Sequence, residues 1–205
     1  KNYIPKHLLV KLINNKIYEM NTPEVADLAQ FEIIAENNRT NMILLMLQLL
    51  RIDFKNDPKL TTAAEYAGRS LGMVDYIRRV PHALRKYKLY LPEDILRKNN
   101  VTVRTLWNRI DGKAKEELND VILEVAAHAR LHLQKAQQFQ NELPPNAFRA
   151  FLHCVEAEMF FEDLEKADFN IFAPGLHTPS YMVLPYRVFT AARAKKFTLS
   201  DPQSK

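Results

Sequence analysis

From Lys113 to Leu143 an apolar or aromatic residue recurs every third or fourth position: Leu118, Ile122, Val125, Ala129, His132, Ala136, Phe139 and Leu143. At 3.6 residues per turn this spacing keeps one stripe on one face for about eight turns, whereas a strand would need strict alternation. Pro144-Pro145 removes two amide donors and stops the pattern. The whole chain of 205 residues holds only 4 glycines. Primed hairpin turns and phosphate-cradling loops both need glycine, so this scarcity argues against them. The chain is therefore expected to be all-α.

The remaining segments agree. Pro5 suits a first turn, and Leu8, Leu9, Leu12, Ile13 and Ile17 come after it at helical spacing. Thr22-Pro23-Glu24 reads as a cap, a proline at the first helical position and a first-turn acid, opening a helix toward Leu50 with a polar interruption at Asn37 to Asn41. A loop at Asp57-Pro58 precedes a helix from about Thr61, which Pro81 is expected to end or kink. Short helices are expected after Pro92, closing at Asn99-Asn100, and from Thr102 through Trp107. Longer ones are expected over about Asn146 to Lys166 and Tyr181 to Lys196. No strand, internal repeat or low-complexity stretch is found.

Apolar residues make up 47% and charged residues 26%, the balance of a globular domain. No apolar run reaches the roughly 18 residues that a membrane-crossing helix needs. Lys1 to Pro5 reads neither as a signal peptide nor as a transit peptide, so the sequence is expected to start inside a mature protein. The single Cys154 has no partner for an internal disulfide. A net charge of +5 suits an anionic surface or an acidic protein partner. Nucleic acid is not expected, since no basic–aromatic module is present.

Several residue groups invite a functional reading. His128 and His132 stand four apart, but the zinc-protease pattern is absent and His132 falls on the apolar stripe, so packing is the simpler account. Glu32 with Glu36, and Glu158 with Glu162, are pairs that solvated helix faces also produce. His153 and Cys154 are neighbours that point different ways. The segment from Tyr76 to Pro92 is more informative. It holds Arg78, Arg79, His82, Arg85, Lys86 and Lys88 and no acid at all. It reads either as a solvated basic surface or as a site for an anion or acidic partner, and it offers no carboxylate to Mg²⁺.

The same region carries a resemblance. Ala67-Gly68-Arg69-Ser70-Leu71-Gly72, Ile77-Arg78-Arg79 and Leu89-Tyr90-Leu91-Pro92 resemble the second signature of the squalene/phytoene synthase family: a helix ending in an acidic motif, then a Tyr-Leu-Pro stretch. Ala127 to Ala136, Leu143-Pro144 and Leu164 to Phe169 are similar to the downstream helices of that family, so the likeness spans about residues 25 to 172. It implies an isoprenoid-synthase-like helical bundle, with the N-terminal part of the fold, and the first acidic motif, expected before Lys1. Residues 1–176 would form the helical domain and 177–205 a basic amphipathic tail.

Family enzymes condense prenyl diphosphates, using two acidic motifs to hold Mg²⁺ against the leaving group. Counting back from Tyr90-Leu91-Pro92, the second pair of carboxylates falls on Arg79 and Ala83, while Asp75 takes the place of a usual amide. No catalytic, cofactor-binding or metal-ligating residue is therefore expected, and no cofactor. Ala167 to Leu176 and Leu184-Pro185 look most like a non-catalytic mitochondrial branch of the family. That branch implies a role in building respiratory complex I at the matrix side of the inner membrane, or as an accessory subunit, with complex I subunits or assembly intermediates as partners. The alternative is a prenyl-lipid binder or prenyl diphosphate synthase. In the tail, Tyr186 and Phe189 supply apolar surface and Arg187, Arg193, Lys195 and Lys196 supply charge, which suits an anionic leaflet or a partner protein.

Overall fold

Asp27 opens the longest run of helix in the first third of the chain: its carboxylate accepts the amide of Gln30, satisfying one of the free donors of the first turn. This is the cap that the sequence pattern placed at Thr22. The computed structural model describes residues 6–21, 25–108, 113–177 and 182–198, so Thr22 to Glu24, Pro5 and Tyr181 lie outside the described residues. The helices run α1 (Lys6–Asn21), α2 (Leu28–Leu49), α3 (Pro58–Leu84), α4 (Glu93–Lys98), α5 (Val103–Asn108), α6 (Lys113–Gln138), α7 (His153–Lys166) and α8 (Val183–Ala194). Among the described residues there is no strand. A lone parallel bridge ties Val25 to Pro92, with the Glu93 amide donating to the Val25 carbonyl.

At the centre lies α3, packed against α2, α6 and α7. Its contact with α2 is made backbone to backbone. A Cβ on Gly68 would stand 2.0 Å from Thr40 Oγ1, and one on Gly72 would stand 2.3 Å from the Ala35 carbonyl oxygen. Two of the four glycines are thus spent on bringing two helices together, where any side chain would push them apart. Phe31, Leu47, Leu60, Met73, Ile77, Leu118, Ile122 and Leu164 fill the surrounding core.

Three expectations change. The polar stretch Asn37 to Asn41 does not interrupt α2, because its groups find partners: across helices Asn38 donates to Tyr76 Oη and Asn15 donates to the Asn37 carbonyl, and within α2 Asn41 donates to that same carbonyl. Pro81 does not end α3, which continues to Leu84. The proline removes the amide that would bond the Ile77 carbonyl and crowds that carbonyl with its ring, so of the two expected outcomes the helix end is the one that changes. The apolar stripe of α6 outlasts its helix, which stops at Gln138 and unwinds through tight turns at Phe139 to Glu142. In these turns Gln140 Oε1 accepts from the Phe197 amide, the Thr198 amide and Thr198 Oγ1.

Candidate functional site at the end of α3

After Leu84 the chain leaves α3 through a left-handed residue. The Lys88 amide donates to the Ala83 carbonyl and the Tyr87 amide to the Leu84 carbonyl, a Schellman closure in which Tyr87, at φ 55°, takes the position usually given to glycine. Asn100 (φ 57°) closes the stretch after α4 in the same hand, with an asparagine in place of glycine. The six cationic or titratable residues of this region divide into two groups. Arg78 is ion-paired with Glu156 of α7, its guanidinium 4.7 Å from the centre of the Phe160 ring. Arg79 donates to Glu19 of α1 at 2.8 Å and lies 5.5 Å over the Tyr76 ring. His82, Arg85, Lys86 and Lys88 are exposed around the helix end. Beside them a groove of about 460 Å³ runs between the Tyr87–Leu89 segment, α4 and the start of α5.

A band of ion pairs crosses the bundle behind this end. Arg39 grips both oxygens of Asp75, at 2.5 and 2.6 Å, and Arg69 donates to Glu36 at 2.6 Å. His132 Nε2 lies 2.9 Å from Glu32, and its ring stacks on Tyr66 with centroids 6.0 Å apart. The two carboxylates Glu32 and Glu36 therefore face separate basic partners instead of one shared ion. His132 is 5% exposed and packed, while His128 stays half-buried. Glu162 bonds Arg187 at 2.8 Å, and Glu158 is buried. Burial pushes the Cys154 thiol well above its ordinary range, Glu158 adding to the effect, so it stays protonated. Spacing alone did not separate these partners, because each lies on a different helix.

The tail is a shorter helix than its composition suggests. It spans Val183–Ala194, not Tyr181 to Lys196, and turns at Lys195 with φ 57°. Arg187 pins it to α7, and the chain then re-enters the core, where Phe197 stacks on Phe151 with centroids 5.0 Å apart. Its outer face shows Met182, Tyr186 (69% exposed) and Phe189 (64%), followed by Arg193 and Lys195.

The family model described as squalene/phytoene synthase matches residues 1–185. The chain belongs to that family. Among solved structures it is similar to squalene synthase HpnC from Alicyclobacillus acidocaldarius, with a TM-score of 0.69 and 13% identity over 81% of this chain and 61% of that one, which shows the shared fold. Among curated proteins it is similar to "NADH dehydrogenase (ubiquinone) complex I, assembly factor 6" of Mus musculus, 26% identical over 96% of this chain and 57% of that protein. The human protein of the same name is 28% identical over 91% of this chain and 54% of its own length. The homolog in Dictyostelium discoideum is 32% identical over 82% of this chain and 46% of its length. The chain spans about half the length of the curated relatives it matches.

Proposed function

We propose that this chain is a non-catalytic member of the squalene/phytoene synthase family that acts in mitochondria in the assembly of respiratory complex I. The observation that carries the reading is Arg79. Where the family signature leads one to expect a magnesium-binding carboxylate, a guanidinium stands and is tied to Glu19. Ala83, at the second expected position, carries no oxygen. A guanidinium in that place donates no oxygen to Mg²⁺ and repels it, so the metal that would neutralise the departing diphosphate is not held there. The names of the curated relatives supply the assembly role, and protein subunits of the complex or its intermediates are the proposed partners.

In this reading the tail expected over residues 177–205 returns to the helical domain at Phe197, and the exposed face of its α8 is the element that meets the matrix side of the inner membrane. The exposed Tyr186–Phe189 face and Arg193, Lys195 and Lys196 support peripheral contact. Among the described residues no helix is long and apolar enough to cross a membrane.

Removing the protein from its source cells tests the proposal. Native gels should lose mature complex I and accumulate early intermediates, and the tagged chain should co-purify with those intermediates. Unchanged complex I would sink the reading. Stoichiometric recovery with the mature complex would instead make the chain a permanent subunit. Mg²⁺-dependent turnover of farnesyl diphosphate would make it an enzyme.

A further inference from the structure

The groove beside the end of α3 is more than a gap between helices. Its floor is apolar and built from residues distant in sequence: Val25, Leu89, Leu96 and Val101, each itself buried. Its walls are polar, with Thr102 and Glu93 on one side, the latter bonded to Arg97 at 2.5 Å. Tyr87 and Lys88 also line it at its rim, and the exposed Arg85 and Lys86 precede them in the chain. No acid lies between Tyr76 and Pro92 to offset them.

Tyr87 adds an independent observation. A bulky residue in the left-handed region is strained, and glycine would close α3 there without that cost. The tyrosine ring is nonetheless held at the groove rim, 60% exposed. An amphipathic ring kept on the surface at a conformational cost is what a docking site uses.

We propose that this groove receives an acidic segment of a partner protein, its apolar side chains seated on the Val25–Leu89–Leu96–Val101 floor and its carboxylates against Lys86, Lys88 and Arg85. The proposal rests on the assembly reading above and names the chemistry of the partner. A volume of about 460 Å³ suits a few side chains of a peptide. A lipid surface is planar, so its headgroups would meet the rim and leave the concave floor empty. The cationic rim steers an acidic segment inward and sets its orientation, while the floor supplies the apolar contact.

The test uses the whole chain and a short fluorescent peptide of alternating glutamate and leucine, read by anisotropy and by amide NMR shifts. The controls are the same peptide with lysine for glutamate, an all-glutamate peptide, and vesicles of phosphatidylcholine with cardiolipin. Saturable binding of the glutamate–leucine peptide is expected, with shifts at Leu89 and Val101 and with neither control peptide binding comparably. K86E/K88E should weaken it about tenfold, the size of two lost rim charges. Tyr87→Gly should weaken it while leaving the melting temperature unchanged or higher, which separates docking from folding. Absence of binding, binding indifferent to all three substitutions, or vesicles competing for the same residues would overturn the groove proposal. Complex I assembly that survives K86E/K88E would overturn the groove as the partner site and leave the assembly reading standing. An effect of neither the variants nor the deletion on complex I would overturn the assembly reading, whatever the peptide does.

Discussion

Arg79 of α3 reaches across to Glu19 of α1 at 2.8 Å, and the same guanidinium covers the Tyr76 ring. Arg79, which the sequence resemblance sets at an expected carboxylate position, thus joins two helices. Its charge has a structural use of its own.

Replacing it should expose both roles. Arg79→Asp is expected to cost about 1 kcal/mol in urea unfolding, a modest figure because the arginine is half in solvent and screened. Putting acids at both positions, as R79D/A83D, should still give no Mg²⁺-dependent release of diphosphate from farnesyl diphosphate. Ala83 is buried, so a carboxylate there is desolvated as well as unsupported. Turnover by the double variant would show that the site lacks only its acids.

The same pair predicts a pH dependence. Burial alone would raise the pKa of Glu19, but its bond to Lys16 and the charges of Lys16 and Arg79 outweigh that and hold it below the ordinary glutamate value. A carboxyl that gives up its proton more readily when folded stabilises the fold above its unfolded pKa. That contribution fades as pH falls through the folded value. Glu19→Gln should therefore be less stable than the native chain near neutrality, with the gap closing in acid. Melts of both proteins across that range measure it, and a constant gap would contradict it.

Glycine substitutions should separate by place. Gly72→Ala would set a Cβ 2.3 Å from the Ala35 carbonyl oxygen, which belongs to backbone and cannot swing aside, so a loss of about 2–3 kcal/mol is expected. Gly175 has nothing within 4 Å of the same position, and its alanine variant should melt with the native chain.

Cys154 should behave as an inert thiol. It is fully buried and held protonated, so a thiol reagent should label the native protein only as fast as the core opens, and promptly in denaturant. Rapid labelling without denaturant would contradict the packing around α7.

The proposed peripheral contact of α8 is tested by co-sedimentation with cardiolipin-containing vesicles. The double change Y186S/F189S should reduce it severalfold without altering stability, since both side chains point outward. Undiminished sedimentation would remove α8 from the membrane.

Much of the helical plan was legible in the sequence. The stripe from Leu118 to Ala136 marked α6 because burial on one face leaves a periodic trace in the residues. Thr102 likewise marked α5, where its Oγ1 accepts the Thr105 amide. Boundaries failed where a distant residue intervened. The α6 stripe gave no hint that Gln140 would bind the chain at Phe197 and Thr198, nor could Thr22-Pro23-Glu24 reveal Asp27 as the cap. At the site, the basic run was visible, but which of its cations were engaged was not. Arg78 and Arg79 find their acids on α7 and α1, and the groove draws its floor from residues 25 to 101. Pairings of that kind are set by how helices stack, and no local pattern encodes them.

The glycine contact between α2 and α3 has a consequence for how such a bundle diverges. Gly72 precedes Arg79 by about two turns, so the register of the central shaft is anchored away from its tip. Charge at the tip can then be rewritten without shifting the shaft. The proposed exchange of acids for cations at that end, and with it of an ion for a neighbouring protein, would leave the frame unaltered.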